Sequence, residues 1–343
     1  MSKNLNNIKK YKKDELTNTL LNDLKSYFLS QEFYYFKQSP IWKSKDTNYY
    51  IGYNKNDEII AYTSIQERGK NASINFGPVC VNDELTITFL EMIINDLKAQ
   101  GYFYLGVLLP YGIGNSSEYI QNKIWERCKF KSVFDSTNWC TWRIPLVGKK
   151  YTELQKKYSK NHKRNIKKAL KQDLKITFSK SVEKNIFLQK YLKMMHSRGE
   201  NQDVEKVESD VENVINYFKE PNNGFFANCF LENELIGSLA ILYQGDTAFY
   251  YMGFADPDFR KYSINHLTFD LAIKKVLEEK LSYFDFGGYA HLASPDSSMF
   301  QINRFKEGFG GERLFYAKRM HFTLSNKVYL KKGISKILSF VKS

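Results

Sequence analysis

Three clusters in this sequence combine residue types and spacings that can do chemistry. The densest runs from Lys149 to Lys175, where eleven basic residues stand against two acidic ones, Glu153 and Asp173, for a local charge of +9. A helix fits its middle. Ser159 is placed to cap the N-terminus, and Ile166, Ala169 and Leu170 fall on one inward stripe. Lys160, Lys163, Arg164, Lys167 and Lys168 cover the other faces. A charge run is ordinarily a solvated face, but this density suits an anion cradle for a nucleotide, a lipid diphosphate or tRNA. Arg164 is the best single anchor, because a guanidinium grips phosphate bidentately, with Lys163 beside it. The second cluster is Tyr283-Phe284-Asp285-Phe286-Gly287-Gly288. Its glycines allow a ligand close to the backbone, and Asp285 reads either as a base or as the cap of a turn. It is not the kinase motif, since no glycine-rich loop, lysine strand or HRD precedes it. The third is Tyr250-Tyr251 at a strand end; neighbours on a strand face opposite ways, so at most one hydroxyl enters a shared cleft.

The elements that must position these residues form one pattern, written twice. In the first copy, strands at Tyr49–Tyr53 and Ile59–Gln66 flank the turn residues Asn54-Lys55-Asn56-Asp57. A strand at Ser73–Val79, a helix over Asp83–Gln100 with Phe89, Met92, Ile93 and Leu97 on one face, and a short apolar strand at Tyr102–Leu109 follow. A helix at Ser117–Cys128 and a strand at Trp139–Pro145 close the copy. The second copy has strands at Phe225–Leu231, Leu235–Tyr243 and Thr247–Phe254, a helix over Asn265–Lys280, a strand at Leu281–Phe286, a helix at Ser298–Glu307 and a strand near Arg313–Leu324. The offset is roughly 175 residues. The intervening Glu183–Lys219 has room for two short helices broken around Gly199.

With 343 residues, two domains are expected: 1–148, 149–325, and a basic amphipathic tail over 326–343. The tail interleaves Lys327, Lys331, Lys332, Lys336 and Lys342 with Val328, Leu330, Ile334, Ile337, Leu338 and Phe340. It suits either docking on an anionic inner leaflet or packing on the core. The N-terminus is polar and lysine-rich, with no secretion signal, and the longest apolar run, Tyr102–Pro110, is too short to span a bilayer. Cys80, Cys128, Cys140 and Cys229 form no CxxC pair, and the five histidines no HExxH motif. The expectation is a cytoplasmic protein with reduced thiols, no metal and no permanently bound cofactor.

The element order resembles the core of the GNAT acyltransferases, whose two central parallel strands splay apart around the acyl donor. The fold class expected is therefore α/β: two tandem GNAT-like domains, each a mixed twisted sheet flanked by helices. In most GNAT enzymes the loop before the central helix is glycine-rich and basic, because its N–H groups approach a pyrophosphate. Here Ala255 to Asn265 keeps Arg260 and Lys261 but has no glycine. Four stretches are similar to the Fem family, double-GNAT aminoacyltransferases of peptidoglycan precursors, over about residues 33 to 325. They are Gln38-Ser39-Pro40-Ile41-Trp42-Lys43-Ser44-Lys45, the Tyr158–Ala169 junction, the Asp285-Phe286-Gly287-Gly288 turn and Phe305-Lys306-Glu307-Gly308-Phe309-Gly310. The resemblance implies that Lys43 or Lys45, beside Trp42, helps hold acceptor phosphates, and that Lys306, after Phe305, stands at the transfer centre. Tyr250 or Tyr251, Asp285 and Arg260 would line the same site. Amine attack on an ester or thioester builds an oxyanion, and a fixed donor there lowers the barrier by about 3–4 kcal/mol. The first copy has Trp125-Glu126-Arg127-Cys128-Lys129-Phe130 at the corresponding place, without the Phe-Lys pair, so one centre per chain is expected.

Three readings follow. The first is aminoacyl transfer from aminoacyl-tRNA to a UDP-linked or lipid-linked peptidoglycan precursor. The second is acyl-CoA-dependent N-acylation of an amino sugar of a surface polysaccharide. The third is a non-catalytic basic adaptor for nucleic acid, which leaves Lys306 unexplained.

Overall fold

The computed structural model describes residues 4–12, 15, 46–75, 77–80, 82–109, 119–120, 122–124, 126–127, 132–134, 140–315 and 319–325. The Trp42–Lys45 segment, Cys128, most of the helix expected at Ser117–Cys128 and the tail over 326–343 lie outside them. The strands in chain order are β1 (Asn7–Lys12), β2 (Asp46–Tyr53), β3 (Ile59–Arg68), β4 (Asn71–Asn75), β5 (Val79–Cys80), β6 (Tyr104–Leu108), β7 (Ser132–Phe134), β8 (Cys140–Pro145), β9 (Leu174–Ser179), β10 (Gly224–Leu231), β11 (Glu234–Gln244), β12 (Thr247–Ala255), β13 (Tyr283–Tyr289), β14 (Glu312–Phe315) and β15 (Met320–Thr323). The helices are α1 (Asp83–Ala99), α2 (Tyr151–Lys157), α3 (Lys160–Ala169), α4 (Lys184–His196), α5 (Val204–Tyr217), α6 (Ile264–Glu278) and α7 (Ser298–Glu307).

The chain forms two compact units, one of Met1–Leu24, Phe28–Asn138 and Phe315–Ser343, the other of Lys25–Tyr27 and Trp139–Leu314. The first sheet runs β1-β2-β3-β4-β6-β15-β7, with β5 also on β3; the second runs β14-β8-β13-β12-β11-β10-β9. This corrects the assignment of the closing strands. The strand expected to finish the first copy, β8, pairs antiparallel with β13 in the second sheet. The strand expected near Arg313–Leu324 is two strands, and the later one, β15, pairs with β6 in the first sheet. Alternation and turn residues mark where a strand is, but either sheet offers such a strand an open edge. Two further strands, β1 and β9, lie outside the sequence expectation: lysines interrupt the alternation of β1, whereas β9 alternates Leu174, Ile176 and Phe178 with polar residues beside the basic run; each adds antiparallel to the outer hairpin of its sheet.

The first core gathers on α1. Asn82 caps the helix through Leu85 N at 2.8 Å, and Leu85, Phe89, Leu90, Ile93, Ile94 and Leu97 are buried. Full burial of such side chains contributes about 1.5–3 kcal/mol each. The second core gathers on α6, where Leu267, Phe269, Ala272, Ile273 and Val276 face β10, β11 and β12. The two central parallel pairs differ. β4 stays paired with β6 along its whole length, Asn71↔Tyr104 to Asn75↔Leu108. β12 pairs with β13 only over Thr247↔Tyr283, Ala248↔Phe284 and Phe249↔Asp285, after which the strands part. The expected splay is thus present in the second sheet.

Candidate functional site

Both parting strands carry a bulge where they separate. In β12 the pairing jumps from Ala240↔Met252 to Ile241↔Tyr250, leaving Tyr251 as the extra residue. In β13 it jumps from Asp285↔Arg143 to Gly288↔Thr141 against β8. Bulges bend a strand and re-aim its side chains. Gly287 sits in the second bulge with φ +70°, and an added Cβ would lie 3.2 Å from the Tyr250 carbonyl, so a side chain there is both strained and crowded.

Lys306 occupies the last turn of α7, beside that bulge. It is buried, and its Nζ donates to the carbonyl of Gly288, with the Gly287 carbonyl 3.5 Å away. Burial pulls its pKa down to about 8, while Asp285 and Cys140 push the other way. An ammonium of that acidity is charged at neutral pH and able to give its proton to a leaving group. Asp285 is fully enclosed. Its Oδ1 accepts the Gly287 N–H at 2.7 Å and meets the Thr141 hydroxyl, which is also 2.8 Å from the Gly287 carbonyl. Burial drives this carboxyl well above the usual range, against the opposing pull of the Gly287 N–H and Lys306. Asp285 therefore caps the turn that presents the carbonyls to Lys306.

The remaining expected residues divide among other places. Phe305 packs into an aromatic cluster with Phe269 and Phe309 at centroid distances of 5.6 and 5.4 Å. Tyr250 meets Phe269 edge-on at 4.9 Å, whereas the bulged Tyr251 donates to Asp210 of α5 at 2.6 Å. Arg164 and Lys163 are exposed on α3. The first donates to Asn161 Oδ1 at 2.7 Å and the second to the Lys156 carbonyl at 2.8 Å. Arg260 is exposed in a short 3-10 turn, Pro257–Tyr262, with Ser197 Oγ at 3.2 Å.

That turn is anchored by its acids. Asp256, 2 % exposed, accepts from Lys190 at 2.8 Å and Lys193 at 2.9 Å, and Asp258 pairs with Lys193 at 2.6 Å. Burial opposes ionisation of Asp256, but the two ammonium groups win and hold its pKa below the usual value. A depressed carboxylate stabilises the fold above its unfolded pKa and ceases to do so as pH falls through the folded one. Asp256→Asn is therefore expected to lower the melting temperature at pH 7, by about 1–3 kcal/mol of stability, and to leave it unchanged at the acid end, as thermal melts across pH would report.

Sequence reasoning missed two residues here. His162 and His266 stack edge to face at 4.6 Å. His162 is buried, and the inward stripe of α3 is His162, Ile166 and Ala169, while Leu170 is 63 % exposed at the helix end. The i, i+4, i+7 spacing carried that signal, but a histidine inside a basic run reads as one more polar residue. Asn165 Nδ2 lies 3.2 Å from His266 Nε2, so α3 rests on the first turn of α6. A cleft of about 530 Å³ opens beside this contact, lined by Ser159, Asn161, His162, His266, Arg304 and Phe305 among others. Among the described residues, no group of three or more His, Cys, Asp or Glu is placed to hold a metal ion.

Residues 156–306 match the family model of an acetyltransferase (GNAT) domain. That stretch is a GNAT acyltransferase domain. Solved structures share this fold. The GNAT-fold chain is similar to FemX, at 13 % identity with a TM-score of 0.76, over 94 % of this chain and 99 % of that one. It is similar also to L-PGS from Bacillus licheniformis (9 % identity, TM-score 0.54, 89 % and 94 % covered). A third similar structure is a tandem GNAT protein from the clavulanic acid biosynthesis pathway (8 % identity, TM-score 0.52, 93 % and 99 % covered). No curated protein sequence matches. Together they establish a tandem-GNAT, FemABX-like fold. GNAT domains typically take acyl-CoA as co-substrate. No helix among the described residues is long and apolar enough to cross a membrane.

Proposed function

We propose that this acyltransferase moves an aminoacyl group from aminoacyl-tRNA to the amine of a UDP-linked or lipid-linked peptidoglycan precursor, at the cytoplasmic face of the membrane. The observation carrying this choice of donor is the position of α3. A diphosphate donor needs the free N–H groups of a helix N-terminus. At the first turn of α6 that position is approached by α3 through Asn165 and His162. The loop in front has no glycine, and its Asp256 and Asp258 are committed to lysines of α4. The outward face of α3, with Lys160, Lys163, Arg164, Lys167 and Lys168 exposed, suits a polyanion such as tRNA.

In the proposed step the acceptor amine attacks the ester carbonyl that joins amino acid to tRNA. The carbonyl electrons move to oxygen, the amide bond forms, and the ester C–O bond breaks. Lys306, charged at neutral pH, opposes the developing oxyanion and supplies a proton to the departing ribose oxygen. The proton released by the attacking amine leaves to solvent.

Purified protein offered charged tRNA or acyl-CoA, with precursor or amino-sugar acceptors, tests the donor. Transfer from charged tRNA is expected; transfer from acyl-CoA without tRNA would overturn the proposal in favour of the amino-sugar reading. The charge-reversal pair Lys163→Glu and Arg164→Glu is expected to weaken tRNA binding by roughly tenfold or more at low salt and to flatten its salt dependence. A filter-binding titration at several salt concentrations reads both, and unchanged slopes would remove α3 from the tRNA contact.

A further inference from the structure

A helix ends with carbonyls that have no partner inside it, and the end of α7 is where Lys306 sits. Three of its last carbonyls are met by the turning chain: Arg304 by Gly308 N at 3.1 Å, Lys306 by Phe309 N at 3.2 Å and Glu307 by Gly310 N at 2.8 Å. The Phe305 carbonyl is met from another helix, by His162 Nε2 of α3 at 2.9 Å. A carbonyl only accepts, so Nε2 bears the proton and donates. Nδ1 is then the acceptor, and Ser159 Oγ lies 3.1 Å from it. A second bond joins the same two helix ends, from Ser159 N to the Gly308 carbonyl at 2.8 Å. The imidazole rests on the bare Cα of Gly308, where a Cβ would come within 2.0 Å of the ring. His266 and Phe309 wall the ring at 4.6 and 4.5 Å.

We infer that His162 is a positioning residue for Lys306: its Nε2–H fixes the last turn of α7, so that the lysine ammonium is held over the Gly287-Gly288 carbonyls at the parting of β12 and β13. Two hydrogen bonds and a ring seated on a glycine pin the backbone on both sides of Lys306. The remaining groups facing the lysine, Asp285 on β13 and Cys140 on β8, belong to the sheet and fix where the ammonium must arrive, whereas His162 fixes the helix that delivers it. Burial keeps the imidazole neutral by lowering its pKa, which preserves the one-donor, one-acceptor arrangement at working pH.

The inference rests on Lys306 being the cation of the transfer centre, and its test is separable from the choice of donor. His162→Leu keeps an apolar side chain of similar bulk and removes the donor; His162→Gln keeps an N–H at comparable reach. The first readout needs no substrate: acetylation of Lys306 by acetic anhydride across pH, followed by peptide mass spectrometry, with Lys306→Met confirming the labelled peptide. The wild type is expected to reach half-maximal labelling at about pH 8. His162→Leu is expected to move that point up by about one unit as water reaches the amine, and His162→Gln to leave it in place. The second readout is turnover with whichever donor is active: kcat is expected to fall roughly 10- to 100-fold in His162→Leu, as for a misplaced reacting group, and to be restored in His162→Gln. A His162→Leu protein with wild-type labelling and kcat overturns the inference. So does equal damage in both variants, which would make the ring's packing, not its donated bond, the operative feature.

Discussion

Replacing Lys306 with methionine is expected to leave a folded protein whose transfer rate is lower by about 10²–10³-fold. The side chain is already buried among β13 and β8 residues, so methionine, unbranched and of similar length, fills its place. What disappears is the lysine donor to the Gly288 carbonyl and the positive charge it sets beside the opening between β12 and β13. Losing the charged donor costs about 1.5–3 kcal/mol, offset in part because Gly288 is exposed, so water can meet its carbonyl, and because desolvating an ammonium is itself unfavourable. The melting temperature is therefore expected to change little while kcat collapses and the acceptor KM does not. The wild-type pH profile carries the same signature. Since burial sets the Lys306 pKa at about 8, its charged form dominates below that pH and vanishes above it. Turnover is expected to be sustained near pH 7 and to decline tenfold per unit above about pH 8. Single-turnover rates of wild type and Lys306→Met from pH 6 to 10 decide the matter; a methionine variant within a few-fold of wild type removes Lys306 from the chemistry.

The Fem-like motifs were legible because they are local. The splayed strands, the Asp285 turn and Lys306 follow one another along the chain, and paired glycines and a lysine after a phenylalanine stand out in their composition. The missing parts are those decided by long-range pairing. Thr141, which meets both Asp285 and the Gly287 carbonyl, lies on β8, and nothing in that strand's alternation says which sheet it joins. The two tyrosines illustrate the same limit: a period of two predicts that Tyr250 and Tyr251 face apart, as they do, but the bulge that displaces Tyr251 toward Asp210 exists only in the register with β11. The basic run hid His162 for a different reason. Its net charge drew attention to the outward face of α3, whereas the residue that links α3 to Lys306 is on the inward one.

Gly308→Ala is expected to lower stability and turnover together, although the residue bears no functional group. Gly308 ends α7 with φ −61°, a conformation any amino acid adopts, so backbone strain gives no reason for glycine there. Space does: the new methyl would stand 2.0 Å from His162 Cε1 and 2.2 Å from Nδ1, and a histidine set against His266, Phe305 and Phe309 can retreat only toward the cleft it lines. Forcing a methyl into a packed site costs about 1–3 kcal/mol. If the ring yields, its bond to the Phe305 carbonyl breaks and a buried acceptor is stranded at a similar cost. A loss of about 2–5 kcal/mol in unfolding free energy follows, together with a fall in kcat, because the ring that moves is the one holding the turn of Lys306. The double variant Gly308→Ala/His162→Ala separates the two effects. Removing the ring makes room for the methyl, so stability is expected to recover relative to Gly308→Ala alone while kcat stays low. Denaturant unfolding and turnover on the four proteins of this cycle measure the coupling directly; additive losses in stability would show that the methyl meets something other than His162.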